Sequence, residues 1–412
     1  MTPDVDRVLG RIEEIFALAP GPNGGASRPA FSGAEARAML LVAGWAREAG
    51  LEAAVDSRGN LWCLPPGDAP CVTGGSHVDT VPDGGRYDGP LGTVLAVEAA
   101  ARAGGERGIL VCAAEEASRF GAGTLGSRAL TGKLSDAYLS GLRDAEGQDA
   151  LSARSAFLEA LGELPRLERA PLKRISAHVE VHIEQRADLR RRGLSLGVAT
   201  SVAGPVRHRL RFLGEVAHAG ETPAGRRRDA LCAAAETVLL AERLGREHAP
   251  ETTATVGTLD VSPNSLTSIP GEAELGLDVR GVRPGGARLL LEELLRGARE
   301  AAAGRGVHLQ EGPISASEPT EMDGSMVAAV EEACARLGVR CGRCVSFAGH
   351  DAQHLAAAAP AALVFVASEN GVSHAPGEAV AEEDVGAALR VLCALTESPR
   401  VVRAPQAVRG GR

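Results

Sequence analysis

The chain has 412 residues, of which 44% are hydrophobic and 24% charged, the balance of a water-soluble globular protein too long for one ordinary core. A formal net charge of −9 argues against nucleic acid or an anionic membrane as partner, and no apolar run reaches the roughly 18 residues that a membrane span needs. The opening MTPDVDRVLGRIEEIF carries acids from its fourth residue and does not read as a signal peptide, so a cytoplasmic protein with reduced thiols is expected.

In chain order, helical periodicity covers Asp4–Ala19 and Gly33–Gly50, the second stopping at a glycine. Short apolar runs at Leu61–Leu64, Val72–Ser76 and Gly108–Ala114 read as strands, with an alanine-rich helix, Leu91–Gly104, between the last two. This alternation predicts an α/β fold with a mostly parallel sheet, its reactive groups on loops at the carboxyl ends of strands. Residues 133–170 read as surface helices and loops. The texture changes near Gly193, where Arg207–Phe212 reads as a strand and Ala224–Glu247 as a helix. Thr252–Asp260 and Ala273–Val279 read as strands, and Leu289–Ala303 as a helix. That order describes a small α+β unit. A helix at Met326–Leu337 and a strand at Ala362–Ala367 then resume the first pattern. The expected organisation is a catalytic domain from residues 1–192 and 305–403, an inserted lid or dimerisation domain at 193–304, and a Gly/Arg-rich tail at 404–412. Eight cysteines are spread along the chain. Cys341 and Cys344 form a lone CxxC, read as a pair of reduced thiols.

Four segments carry chemistry. In GSHVDTVPDGGRYDGPLG, His77 and Asp79 share one face after a strand, and Asp88 follows in a loop rich in glycine and proline. Alone, such a His–Asp pair is more often a surface pair. Glu115 and Glu116 end an apolar strand; adjacent acids diverge, so one is able to bind a metal while the other handles protons. The plainer reading is a solvated acidic turn. The alternation in HVEVHIEQ puts His178, Glu180, His182 and Glu184 on one face, either a functional face or an edge strand facing solvent. His374 stands in a turn beyond the last apolar strand. Imidazoles and carboxylates together are the usual donors for zinc.

These motifs, with EEASRFG, GSRALTG, HAGETPAGRRRDA, IPG, LDVR, AGHDA and GVSHAPGE, occur in an order that resembles the di-zinc aminoacylase/carboxypeptidase-type hydrolases. More narrowly the chain is similar to their carbamoylase subgroup: N-carbamoyl-L-amino acid hydrolases, β-ureidopropionases and allantoate amidohydrolases. The likeness runs from about Ser27 to Val385. It implies hydrolysis of a linear C–N amide bond other than a peptide bond, in a small N-carbamoyl or ureido substrate bearing a carboxylate. Two divalent ions are implied, zinc first, with manganese or cobalt also suited to the ligands. By the resemblance His77 and His182 hold one ion, Glu116 and His374 the other, and Asp88 bridges them. Asp79 then orients His77. Glu115 is the general base, passing a proton from the attacking water to the leaving nitrogen. His218 reaches across a homodimer to the oxyanion, while Gln185 and Arg280 hold the substrate carboxylate. A structural pair with Asp278 is the plain alternative for Arg280.

The chain departs from that pattern where substrate is held. Thr267 replaces an asparagine before IPG, and Phe347 a glycine before AGHDA. Arg186 follows HIEQ in place of glycine, Ala217 precedes HAG in place of asparagine, and Ala117 follows Glu-Glu. The reaction type is therefore expected to hold while the specificity pocket differs. Two alternatives stand beside it: an N-acyl-amino-acid or small-peptide hydrolase, and a catalytically silent binding protein on the same scaffold.

Overall fold

The computed structural model describes residues 3–395; the tail expected at 404–412 and the last residues of the expected catalytic domain lie outside them. By contact density the chain divides into two units. One runs to Thr200 and takes up Met322–Cys344 and the chain from Gly349, and the other is Ser201–Glu321 with Val345–Ala348.

The first unit is built on a large mixed sheet. Its central strands lie in the order Ala361–Val366, Ile175–Ile183, Cys71–Gly75, Gly108–Val111, and all three contacts between them are parallel. Leu196–Val202 joins one side antiparallel, and Leu61–Leu64 followed by Glu52–Asp56 the other. The central strands are buried along most of their length. This is why Gly108–Val111 and Ala361–Val366 read as continuous apolar runs rather than alternating ones. The edge-strand reading of HVEVHI is therefore excluded, since Ile175–Ile183 has a parallel neighbour on each side. Helix Gly33–Glu48 begins at Ser32, whose hydroxyl accepts the Glu35 amide at 3.2 Å. Helix Pro90–Arg102 opens on proline and buries Leu91 and Leu95 completely; truncating either to alanine is expected to cost ~2–5 kcal/mol. No helix among the described residues is long and apolar enough to cross a membrane.

Strand order and chain order part company between Cys71–Gly75 and Ile175–Ile183. From Cys71–Gly75 the chain goes first to Gly108–Val111 on one side, then to Ile175–Ile183 and Ala361–Val366 on the other. At such a reversal the loops leaving neighbouring strands diverge and open a crevice at their carboxyl ends.

The second unit is a four-stranded antiparallel sheet in the order Thr252–Ser262, Glu272–Gly281, Gly204–Leu213, His308–Ala316. Leu210, Phe212, Leu275 and Val279 form its core with Leu290 and Leu294 of helix Gly286–Gly304. The limits expected for the insertion, 193–304, shift at both ends. Leu196–Val202 pairs with Ala361–Val366 of the large sheet, whereas His308–Ala316 completes the four-stranded sheet beside Gly204–Leu213. That last strand is exposed along nearly its whole length, so it lacks the apolar alternation that marks a half-buried strand.

Candidate metal centre

Each of the four central parallel strands delivers a side chain to the crevice from just beyond, or at, its carboxyl end. His77 follows Cys71–Gly75, Glu116 follows Gly108–Val111, His182 closes Ile175–Ile183 and His374 follows Ala361–Val366. Asp88 comes in on the loop before helix Pro90–Arg102. The next residue, Gly89, has φ +84°, and a Cβ there would stand 2.6 Å from the His77 ring. Only glycine lets the backbone pass this close to the imidazole. His374 is itself left-handed, with φ +59°, a conformation a non-glycine residue adopts only when its surroundings impose it.

Asp88 is the hub. Its Oδ1 lies 3.0 Å from Nε2 of His182 and 3.5 Å from Nε2 of His77. Its Oδ2 lies 3.4 Å from Nε2 of His374, which in turn is 3.5 Å from a Glu116 oxygen. Ligand atoms of His77, Asp88 and His182 fall within 4.8 Å of one another, and so do those of Asp88, Glu116 and His374. The five residues thus form two triads that share Asp88. Gln185 and Ser373 donate to Asp88 Oδ2 at 3.4 and 2.9 Å. Glu378 accepts the amides of Tyr87 and Asp88 at 2.7 and 3.0 Å, fixing the loop.

The donors fit divalent ions on three counts. Nδ1 of His77 and Nδ1 of His182 lie 3.1 and 2.9 Å from the carbonyl oxygens of Asp79 and Ile183. A ring that donates from Nδ1 presents the lone pair of Nε2 to the crevice. Nε2 of His77 is buried without a hydrogen-bond partner among the described residues, a costly arrangement that a bound cation relieves. Finally, three imidazoles and two carboxylates suit zinc, and also manganese or cobalt.

The backbone carbonyl of Asp79 meets His77 Nδ1, and the Asp79 carboxylate is engaged elsewhere. Its two oxygens accept the successive amides of Glu115 and Glu116, at 3.1 and 2.9 Å. The adjacent acids therefore diverge from a fixed backbone: Glu116 enters the second triad, and a Glu115 oxygen lies 3.9 Å from His77 Nε2. Both are nearly buried, which excludes the solvated acidic turn. Burial pushes the Glu115 carboxyl well above the usual range, and Glu116 reinforces this while His77 opposes it. Burial also raises Glu116, to about 7. Burial works to raise Asp88 as well, but the charge of His182 and the close approach of the His182, His374 and His77 rings hold it well below the usual range. The Asp88 hydrogen bond is the largest cause that raises His374, to about 9.

The remaining expected site residues fall in the second unit. His218 is exposed on the short strand Ala217–His218, paired with Ser268–Ile269, and Ala219 donates to the Thr267 carbonyl at 2.9 Å. The amides of Gly220 and Glu221 donate to His218 Nδ1 at 3.1 and 3.2 Å. Nδ1 is thereby an acceptor, so Nε2 carries the proton and faces outward as a donor. Arg280 makes the pair with Asp278, and its Nη1 donates to the Phe347 carbonyl at 2.5 Å. Sequence reasoning did not single out Ser373, Glu378 or His350. His350 packs its ring edge-on against His182, with centroids 4.6 Å apart. All three stand inside quoted motifs, and proximity to His374 was the available signal for the first two.

The chain is similar to known proteins along nearly its whole length. The model of Peptidase family M20/M25/M40 matches residues 74–398. An N-carbamoyl-L-amino acid amidohydrolase of Geobacillus stearothermophilus is 35% identical, the match covering 94% of this chain and 96% of that protein. An allantoate amidohydrolase of Bacillus subtilis (strain 168) is 31% identical over 92% and 94%. Among solved structures, an amidase of the hydantoinase/carbamoylase family from Burkholderia multivorans superposes with a TM-score of 0.85. It has 32% identity over 97% of this chain and 98% of that one.

Proposed function

This chain belongs to peptidase family M20/M25/M40, and on that premise we propose that it is a two-metal amidohydrolase of N-carbamoyl or ureido acids, acting as a homodimer in the cytoplasm. The observation that carries the reading is the pair of triads sharing Asp88, together with relatives named for N-carbamoyl-L-amino acids and for allantoate along nearly the whole chain. His77 and His182 would hold one ion and Glu116 and His374 the other, with Asp88 serving both triads, and zinc is the first choice. Bound divalent ions supply the acidity of the attacking water and the polarisation of the substrate carbonyl.

The chain's own groups do the rest. Glu115, beside His77, takes a proton from the water as it attacks the carbonyl carbon. Burial makes its carboxyl a ready proton donor in turn, and it hands that proton to the nitrogen as the C–N bond breaks. An amide nitrogen leaves poorly unless protonated, so one carboxyl serves both steps. Asp79 holds Glu115 and Glu116 in register through their amides. The Nε2–H of His218, supplied by the second copy, donates to the oxygen that gains charge in the transition state. Arg280 and Gln185 take the substrate carboxylate, the role the resemblance implies for each. Phe347 and Thr267 shape the pocket and set the substrate apart from the relatives' own. Hydrolysis of a carbamoyl group yields the amine, ammonia and carbon dioxide.

A panel of N-carbamoyl, ureido and N-acyl amino acids, assayed for ammonia and free amine with zinc, manganese or cobalt present, tests the proposal. Ammonia from carbamoyl or ureido acids only is the expected result. Free amine from acyl substrates without ammonia overturns the substrate class, and no hydrolysis by protein carrying two ions overturns the enzyme reading.

A further inference from the structure

Gly108–Val111 gives up sheet pairing before it reaches the two acids, yet the backbone that follows is held at every step. The amide of Ala113 donates to Asn60 Oδ1 at 3.1 Å and that of Ala114 to Glu35 Oε1 at 2.9 Å. Those of Glu115 and Glu116 go to Asp79. On the other side the carbonyls of Ala113, Ala114 and Glu115 accept the amides of Gly126, Leu125 and Thr124 at 2.9, 2.9 and 2.7 Å. Four consecutive amides thus end on side chains from three distant parts of the chain. Ala114 is the kink in this segment, with φ +53°.

Glu35 is fully buried in the first turn of its helix. Its second oxygen accepts the amide of Phe31 at 2.5 Å, and Phe31 is also left-handed, with φ +54°. One carboxylate therefore clamps two non-glycine residues in a conformation that L side chains rarely adopt. The guanidinium of the equally buried Arg28 supplies nearby positive charge, held by the carbonyl of Val78 at 2.8 Å. Among the described residues the Glu35 carboxylate bonds to the amides of Phe31 and Ala114, the latter immediately before the two acids.

We propose that Glu35 is a positioning residue for the metal centre: by holding the left-handed turn at Ala114 it sets the directions in which Glu115 and Glu116 leave the backbone. The inference rests on the roles given above to those two acids, Glu116 as ligand and Glu115 as base. A shift of the turn moves both at once, which distinguishes this role from general support of the fold. Glu35→Gln keeps the shape but has only one acceptor oxygen for two amides, so one clamp fails. Glycine at 114 takes the left-handed turn unaided, so Ala114→Gly repairs that clamp and leaves Phe31 unaided.

The test uses the full chain, stripped of metal by a chelator, with Zn2+ and Co2+ as probes. Glu35→Gln should weaken one of two Zn2+ equivalents by ~10-fold or more, the usual effect of losing support behind a ligand. It should also alter the Co2+ d–d spectrum. Per fully loaded molecule kcat should fall at least ~10-fold with KM within ~3-fold, the pattern of a displaced acid–base group. Glu35→Gln/Ala114→Gly should return zinc affinity and kcat close to those of Ala114→Gly alone while the melting temperature stays low. Zinc affinities, spectrum and kcat equal to wild type, with only the melting temperature lowered, overturn the proposal. So does a double variant that recovers nothing. If Glu35→Gln does not fold, Glu35→Asp, one methylene too short to reach both amides, carries the same measurements. The zinc titration uses no substrate, so a wild-type protein inactive on ureido acids overturns the proposed function without deciding this one.

Discussion

Arg280 donates twice to Asp278, from Nε to Oδ1 at 2.7 Å and from Nη2 to Oδ2 at 3.2 Å. Asp278 also accepts from Arg207 at 2.9 Å, and the two guanidinium groups hold its carboxyl below the usual range against the effect of burial. The pair fixes the plane of the Arg280 guanidinium. On the role proposed for Arg280, a substrate carboxylate meets a fork already oriented, at little entropic cost.

Arg280→Lys keeps the charge and loses the fork. It is expected to raise KM for a carbamoyl amino acid by ~10-fold or more with kcat within ~3-fold, and to change little for the corresponding carboxamide. Steady-state kinetics on the two substrates checks this. Equal losses on both assign Arg280 to the fold alone.

Glu115→Gln is expected to retain both metals and to lose ~10²–10⁴-fold in kcat, the contribution of a positioned acid–base group. Metal analysis beside turnover checks it. Turnover near wild type removes Glu115 from the base role.

Metal loading should release protons. An imidazole binds a metal only when neutral, and His374 is raised to about 9, chiefly by its hydrogen bond to Asp88. At pH 7.5 that proton is still bound, so apparent Zn2+ affinity should climb with pH until about 9. Calorimetry at pH 7.5 in two buffers of different ionisation enthalpy should return at least about one proton per loaded chain. Equal heats in both buffers contradict it.

Acid should destabilise the fold through His178. This buried imidazole, with Nδ1 2.9 Å from the Thr73 hydroxyl, is lowered by burial to about 4. The unfolded chain binds its proton near pH 6.5, so between about 6.5 and 4 unfolding takes up a proton and stability falls as pH falls. The loss across that window is on the order of 3 kcal/mol. His178→Asn, which keeps a polar group towards Thr73, should flatten the slope by up to ~1.4 kcal/mol per pH unit in denaturant titrations. An unchanged slope rejects the assignment.

Much of the centre was legible because its parts announce themselves in one dimension. His77, Glu116 and His374 each stand a few residues beyond an apolar run, and the carboxyl ends of parallel strands lie along one edge of the sheet. The fold class followed from the same runs. What stayed hidden depends on backbone amides, which carry no sequence signature. Glu35 reads as an ordinary acid in a helix's first turn, and only the folded chain shows it bonded to Ala114, 79 residues away. Glu378 is hidden likewise, since its partners are the amides of Tyr87 and Asp88. Strand His308–Ala316 escaped notice because both of its faces are largely exposed, so neither period marks it. The Arg280–Asp278 pair was visible two residues apart on one strand face. Whether it serves the fold or orients Arg280 for substrate is a matter of kinetics.

The most direct measurement follows ammonia release from an N-carbamoyl or ureido acid while chelator-stripped protein is titrated with Zn2+. The account predicts no release without metal, full activity only at about two equivalents per chain, and loss of activity in Asp88→Asn, which removes the shared carboxylate. Full activity in stripped protein, or saturation at one equivalent with Asp88→Asn still active, would contradict it.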